Sequence, residues 1–232
     1  MRLYIIRHAD PDYGNDSLTP SGHLEAKALA QRMVQIQPDR IFCSPKGRAV
    51  ATAQCTSDLL GTKLEIEQWT REMDCRFDHP RHGRLMVWDC PGEDLRSDDA
   101  LRSGAWHELE FFRDPSIREA VEQLHRDSDR FLTSLGYVRQ KARYRAVSGN
   151  ELRIAMFCHG GFGLTWLAHL LHLPLPLAWS GFWLSPASIT TILFEHRSDD
   201  WAIPRCIGLG DIAHLNQAGL KRNYSGLKAN TE

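Results

Sequence analysis

The sequence contains no C-x-x-C pair, although six cysteines (Cys43, Cys55, Cys75, Cys90, Cys158 and Cys206) are scattered along it. Zinc-site spacing is absent and a disulfide framework is foreign to a chain of 232 residues, so free thiols in a reducing compartment are expected. No charged-then-apolar leader opens the sequence, and no uninterrupted apolar run approaches the roughly 18 residues of a spanning helix. The expectation is a cytoplasmic, soluble protein with no membrane partner. Neither sign of charge is in excess: 28 Lys plus Arg against 29 Asp plus Glu leave a formal net charge of −1. That removes the broad basic field on which nucleic-acid binding rests, so any anion has to be caught locally. Repeats longer than a strand-helix unit and low-complexity segments are missing too, which favours a single domain over residues 1–232.

What is present alternates. The apolar run Leu3-Tyr4-Ile5-Ile6 reads as a buried strand that ends abruptly in Arg7-His8. Thr19 is an N-cap with Pro20 at the first helical position, and Leu24, Ala28, Leu29 and Met33 recur on one face of the helix that follows. Arg40 to Cys43 is a second apolar run, Ser44-Pro45 again reads as cap and proline, and Ala49 to Leu60 favours a helix that Gly61 stops. Leu64 and Ile66 mark a short third strand. Further on, Arg118 to Leu135 has helical spacing with Gly136 as C-cap, and Glu151 to Cys158 is a second buried strand, ending in His159-Gly160-Gly161. An apolar helix over Phe162 to Leu173 and strand-like runs at Ser188 to Phe194 and Pro204 to Leu209 complete the pattern. Such alternation predicts an α/β fold, a three-layer sandwich around a mostly parallel central sheet. From about residue 73 to 115 the pattern lapses into Asp, Arg, His, Pro and Gly, with Trp88 and Trp106 as apolar anchors. This stretch reads as an irregular insertion over the active-site end, helical only at Trp106 to Phe112.

In open parallel sheets, ligands gather outside the carboxyl ends of the strands. Arg7-His8, Ser44 with Arg48, and His159-Gly160 all fall at such ends, where helix N-termini add unpaired amides and a positive dipole. The natural occupant is a phosphate. Arginine presents a planar fork of donors to phosphoryl oxygens, each charge-assisted bond being worth about 1.5–3 kcal/mol. Two arginines and a second histidine neutralise a dianion without a metal, and a neutral imidazole nitrogen is a competent nucleophile when its other nitrogen is held by a hydrogen bond.

Taken together, Arg7-His8 after an N-terminal strand, Cys43-Ser44-Pro45-x-x-Arg48-Ala49-x-x-Thr52-Ala53, and Cys158-His159-Gly160-Gly161 before a helix resemble the histidine phosphatase superfamily, in its phosphoglycerate mutase-like branch. Leu18-Thr19-x-x-Gly22-x-x-Glu25-Ala26 and Leu209-Gly210-Asp211-Ile212-Ala213-His214-Leu215 resemble further patterns of that family. The resemblance implies a phosphatase acting on a small phosphate ester, without metal or cofactor. It makes His8 the nucleophile that becomes phosphohistidine, and Arg7, Arg48, His159 and Gly160 the phosphoryl-binding groups. Glu72 then protonates the leaving oxygen, a role that the chemistry of an alkoxide leaving group demands of some carboxylic acid.

The sequence departs from the family pattern at Ala9, where glycine is usual, and at Thr70-Arg71-Glu72, which leaves Asp10 and Asp74 as alternative acids. Asn15 is one position from a common phosphate-binding asparagine. The longer pattern of the mutases after the histidine is missing, which favours a phosphatase over mutase-type phosphoryl transfer, and a catalytically silent phosphate-binding protein is the non-enzymatic rival. An esterase reading of His159-Gly160-Gly161 lacks its G-x-S-x-G elbow. His79 and His82 among Arg76, Arg81 and Arg84 read as a solvated charged loop, with recognition of an acidic substrate as the alternative. His169-x-x-His172 reads as a pair of structural histidines with no carboxylate nearby. The physiological substrate and the oligomeric state, a homodimer included, stay open at this level.

Overall fold

Residues 1–96, 106–224 and 227 are described in the computed structural model of the chain. The opening apolar run forms β1 (Arg2–Arg7), every residue of which is buried except the first. Such a strand needs neighbours on both edges and cover on both faces. It pairs in parallel with β10 (Arg153–Cys158) and antiparallel with β11 (Ile189–His196), in the middle of an eight-stranded sheet. On one side β10 leads in parallel to β4 (Arg40–Cys43) and β5 (Leu64–Ile66), while β2 (Pro11–Asp12) and β3 (Ser17–Leu18) pair only with each other in the loop after β1. On the other, β11 leads antiparallel to β12 (Trp201–Asp211), β9 (Arg143–Ala146) and β8 (Tyr137–Gln140). The sheet is therefore mixed, with its central strands mostly parallel and an antiparallel wing. Strands β8 and β9 do not follow from the sequence pattern: Tyr137-Val-Arg-Gln and Arg143-Tyr-Arg-Ala are four residues each, and each buries fully one tyrosine alone.

Helices cover both faces. On one side lie α1 (Pro20–Ile36) and α2 (Gly47–Leu60), with Ala26, Leu29, Met33, Ala49 and Ala53 packed on Tyr4, Ile6, Ile41 and Phe157. Thr19 caps α1 through a bond from the Gly22 N–H at 3.0 Å, and Pro20 follows it, as the sequence predicts. Leu24, expected on the buried face, is exposed, because the inward stripe runs through Gly22, Glu25, Ala26 and Leu29. Gly61 ends α2 in the left-handed conformation (φ +64°) that glycine adopts without strain. Its start is Lys46 and not Ser44, whose hydroxyl is engaged with His159.

The opposite face is covered by α4 (Pro115–Ser134) and α5 (Gly160–Leu171), around Trp166, Phe162, Phe131 and Leu167. Short helices follow at α6 (Leu175–Gly181) and α7 (Ala213–Gln217). The described part of the stretch from 73 to 115, residues 73–96 and 106–115, is more regular than expected, residues 97–105 lying outside the described residues. It folds into a hairpin, β6 (Arg76–His79) with β7 (Gly83–Met86), a single helical turn α3 (Gly92–Leu95), and 3-10 turns at Val87–Asp89, Trp106–Glu108 and Glu110–Phe112, the last two where a helix was expected. These pieces bury Phe77, Val87, Leu95 and Phe112 against Leu164, Ala178 and Trp179, which gives them a small core of their own. His79 belongs to that core. It is buried, bonded through Nε2 to Asp94 at 2.9 Å and accepting at Nδ1 from the Arg81 N–H, so neither a solvated loop nor a substrate reader describes it.

Candidate active site

The parallel register brings three strand ends to one edge. Arg7 pairs with Cys158, and Phe157 with Cys43, so the next residues, His8, His159 and Ser44, lie side by side. Backbone bonds continue past the strands: the His8 N–H donates to the Cys158 carbonyl and the Ser44 N–H to that of Phe157, both at 2.9 Å.

His8 is held from several directions. Its carbonyl accepts from the Ala187 N–H at 3.1 Å, and the next amide, that of Ala9, donates to the Thr52 hydroxyl at 3.0 Å. Ala9 is fully buried, and its methyl group joins the core of Tyr4, Ile6 and Ala49, which accounts for an alanine here. The His8 Nδ1 lies 2.8 Å from the Ala9 carbonyl; a carbonyl only accepts, so Nδ1 carries the proton. Nε2 then carries the lone pair, which accepts from the Arg48 Nε–H at 3.3 Å. Burial, with Arg7 and then Arg48 beside it, pulls the His8 pKa down to about 3, so at neutral pH the ring is uncharged.

His159 stands edge-on to His8, with ring centroids 5.2 Å apart, and is completely buried. Its Nε2 is 2.7 Å from the Ser44 hydroxyl, while Nδ1 has no hydrogen-bond partner among the described residues. Burial and then the neighbouring His8 hold its pKa well below the ordinary value. Arg7 is buried and donates from Nη1 to the Leu184 carbonyl at 2.6 Å. A Cβ at residue 160 would come within 3.3 Å of the Arg7 Nε, so Gly160 lets this arginine lie close along the start of α5.

Arg48, in the first turn of α2, is fixed by a residue the sequence reading passed over. Asp16 accepts from the Arg48 Nη1 at 2.6 Å and, with its other oxygen, from the Gly47 N–H at 2.9 Å. No short-range pattern announces such a partner, which lies 32 residues away in a polar loop. Asn15, in the same loop, only donates to Asp12.

Glu72 lies across the start of α5. Its two carboxylate oxygens accept from the N–H groups of Phe162 (2.7 Å) and Gly161 (3.1 Å), so it caps a helix whose own N-cap, His159, makes no side-chain capping bond. Burial nevertheless raises its pKa, the two backbone bonds opposing. Of the alternative acids, Asp10 is occupied with Thr19 and Asn223, and Asp74 is mostly exposed and paired with Arg76 at 2.8 Å.

Arg7, His8, Arg48, Glu72 and Gly160 all line one cleft of about 780 Å³, together with Lys46, Asp74, Trp88 and Trp183. Other sequence candidates lie elsewhere. His169 has the carboxylate neighbour it was expected to lack, Asp129 at 2.9 Å, and is stacked on His125 with centroids 4.0 Å apart. His214 is buried and does not line the cleft. Among the described residues, no group of three or more His, Cys, Asp or Glu side chains is placed to hold a metal ion, and no helix is long and apolar enough to cross a membrane.

The chain has likenesses in sequence and in fold. Over 81 residues, 31% of the chain, the sequence is 38% identical to the "Putative phosphoserine phosphatase 2" of Hydrogenobacter thermophilus, a match that spans 40% of that relative's length. In fold, the chain resembles a phosphoserine phosphatase of Entamoeba histolytica solved with 3-phosphoglyceric acid (TM-score 0.62, 20% identity, 92% of this chain and 98% of that one). A mycobacterial glucosyl-3-phosphoglycerate phosphatase (TM-score 0.59, 21% identity, 90% and 98%) and the alpha-ribazole phosphatase of Shigella flexneri (TM-score 0.58, 20% identity, 91% and 96%) share that fold. The profile of the histidine phosphatase superfamily (branch 1) matches residues 3–205, and the chain belongs to that family.

Proposed function

We propose that the protein is a phosphomonoesterase that works without a metal, through a covalent phosphohistidine at His8. The observation that carries this reading is the state of that imidazole: neutral, its Nδ1 proton spent on the Ala9 carbonyl, and its Nε2 lone pair flanked by Arg48. Arg7, Arg48, His159 and the Gly160 amide hold the phosphoryl oxygens and neutralise the charge that develops on them. Nε2 attacks phosphorus, the bond from phosphorus to the ester oxygen breaks, and the Glu72 carboxylic acid gives its proton to the departing alkoxide. The Glu72 carboxylate then takes a proton from water as its oxygen attacks phosphorus, the P–N bond breaks, and phosphate leaves. The raised pKa of Glu72 suits the acid role, since more of it is protonated near neutrality than of an ordinary glutamate.

On this reading the chain acts as one domain, 1–232, on a small phosphate ester, with residues between Met73 and Gly92 forming the wall beside the leaving group. Six free cysteines fit a cytoplasmic site of action. The test is hydrolysis of an aryl phosphate in the presence of a chelator, with rapid acid-labile labelling of the protein by ³²P-substrate. His8→Ala is expected to lose turnover by about 10³-fold or more and to lose the label. Undiminished turnover in that variant would overturn the mechanism, and saturable binding with no turnover in the unmutated protein would leave a phosphate-binding protein in its place.

A further inference from the structure

The cleft changes character away from the arginines. Among the described residues, its lining outside the phosphoryl group also includes Lys46, Asp89 and Arg76, the last paired with Asp74 at 2.8 Å. Alongside them, Met73, Met86, Trp88, Phe182 and Trp183 line the cleft and are each only partly buried, so they present apolar surface to it. Partly exposed aromatic and thioether groups in a concave wall are what a bulky apolar ligand covers.

The two tryptophans come from separate parts of the chain. Trp88 belongs to the 3-10 turn after the β6–β7 hairpin, and its indole is seated on the backbone of Gly161, where a Cβ would come within 2.3 Å of Cε2. The Gly161 N–H is the group that donates to Glu72. The indole thus stands next to the carboxyl that protonates the leaving oxygen, where the remainder of the leaving group has to lie. Trp183 follows α6 and is backed by Tyr224, nearly parallel to it at 14° and 6.0 Å.

Resting on the phosphatase reading, we infer that the leaving group is a bulky apolar or aromatic alcohol gripped by Trp88 and Trp183, and not a small carboxylate-bearing one such as serine or glycerate. A small carboxylate-bearing group would leave the apolar surface of Trp88 and Trp183 uncovered. The test compares esters of matched leaving-group acidity: 2-naphthyl against phenyl phosphate, and 2-phenylethyl phosphate against O-phosphoserine. The larger apolar member of each pair is expected to have a kcat/KM higher by about tenfold or more, expressed chiefly in KM. Trp88→Ala and Trp183→Ala, checked for folding by circular dichroism, are expected to bring the naphthyl-to-phenyl ratio toward one. Equal kcat/KM within each pair in the unmutated protein, or a preference for phosphoserine, would overturn the inference while leaving the phosphatase intact. If no ester is turned over, the phosphatase reading fails by itself. Calorimetric binding of the two aryl phosphates then decides the inference, tighter naphthyl binding sustaining it and equal binding overturning it.

Discussion

Asp16 and Arg48 form a 2.6 Å ion pair whose arginine also donates from Nε to the Nε2 of His8, so one carboxylate in a surface loop fixes the group nearest the candidate nucleophile. The second oxygen of Asp16 holds the Gly47 N–H, and a Cβ at residue 47 would come within 2.1 Å of the Asp16 carbonyl oxygen. Loop and helix start are thereby packed backbone to side chain. Asp16→Ala is expected to lower kcat/KM about tenfold, close to 1.4 kcal/mol, with much of the loss in KM, because Arg48 loses its anchor while its charge stays. Steady-state kinetics beside the binding of vanadate checks this, and unchanged values for both would show that Arg48 is held well enough by the rest of its surroundings.

The pH profile follows from two opposite shifts. His8 is held at about 3, so it is uncharged throughout the working range and sets no limb near the ordinary histidine value of 6.5. Glu72 is shifted upward, and its acid form is lost as pH rises through that raised value. The expected kcat/KM for an alkyl phosphate is therefore highest on the acid side and falls with rising pH. Glu72→Gln is expected to remove the part of that fall due to Glu72, and to slow alkyl esters far more than aryl esters, whose leaving groups need no proton. The substrate ionises identically with both proteins, so the comparison isolates Glu72. Equal losses for both ester types would move the acid elsewhere, with Asp74 next.

In the core of the α4–α5 side, the Trp166 indole N–H donates to the Ser128 hydroxyl at 2.7 Å, both residues being completely buried. Ser128→Ala leaves that donor unsatisfied, at a cost of about 1–3 kcal/mol. For a chain of this size each kcal/mol corresponds to roughly 2–4 °C in Tm. Thermal unfolding followed by circular dichroism is the measurement, and a Tm lowered by less than about 1 °C would mean that water or another acceptor takes the hydroxyl's place.

His125, stacked on His169, has its pKa pulled down to about 3, with burial the main cause and His169 next. Its folded value lies below its unfolded one, so the unfolded chain binds the extra proton. The stability present above the unfolded value of 6.5 is then lost progressively as pH falls toward 3. Asp129, Arg139 and Glu122 face the same pair, Asp129 and Glu122 opposing the shift and Arg139 adding to it. His125→Phe keeps the stacked ring and removes the titration. Urea unfolding at several pH values is expected to show a shallower loss of stability below pH 6.5 in the variant; an identical slope would mean that His125 is protonated without cost.

Much of this arrangement was legible because it is local. Buried strands end in Arg7-His8 and Cys158-His159, and Thr19-Pro20 and Gly61 mark helix boundaries through caps that act within a few residues. What escaped was set at long range. Asp16 reaches Arg48 across 32 residues, Glu72 reaches Gly161 across 89, and the β6–β7 hairpin buries only Phe77 and His79 of its first strand between charged neighbours. The antiparallel wing was missed in part for a different reason: Arg139 and Arg143 make β8 and β9 read as polar loop, although Tyr137 and Tyr144 carry their burial.

The position of β1 also bears on how the protein is made. Both of its neighbours in the sheet, β10 and β11, are translated after residue 152, so β1 leaves the ribosome long before it has any edge to join. Arg7 reaches Leu184, and His8 reaches Cys158 and Ala187, only once those later residues are made, and a nascent chain halted anywhere before β10 holds the candidate nucleophile without a pocket.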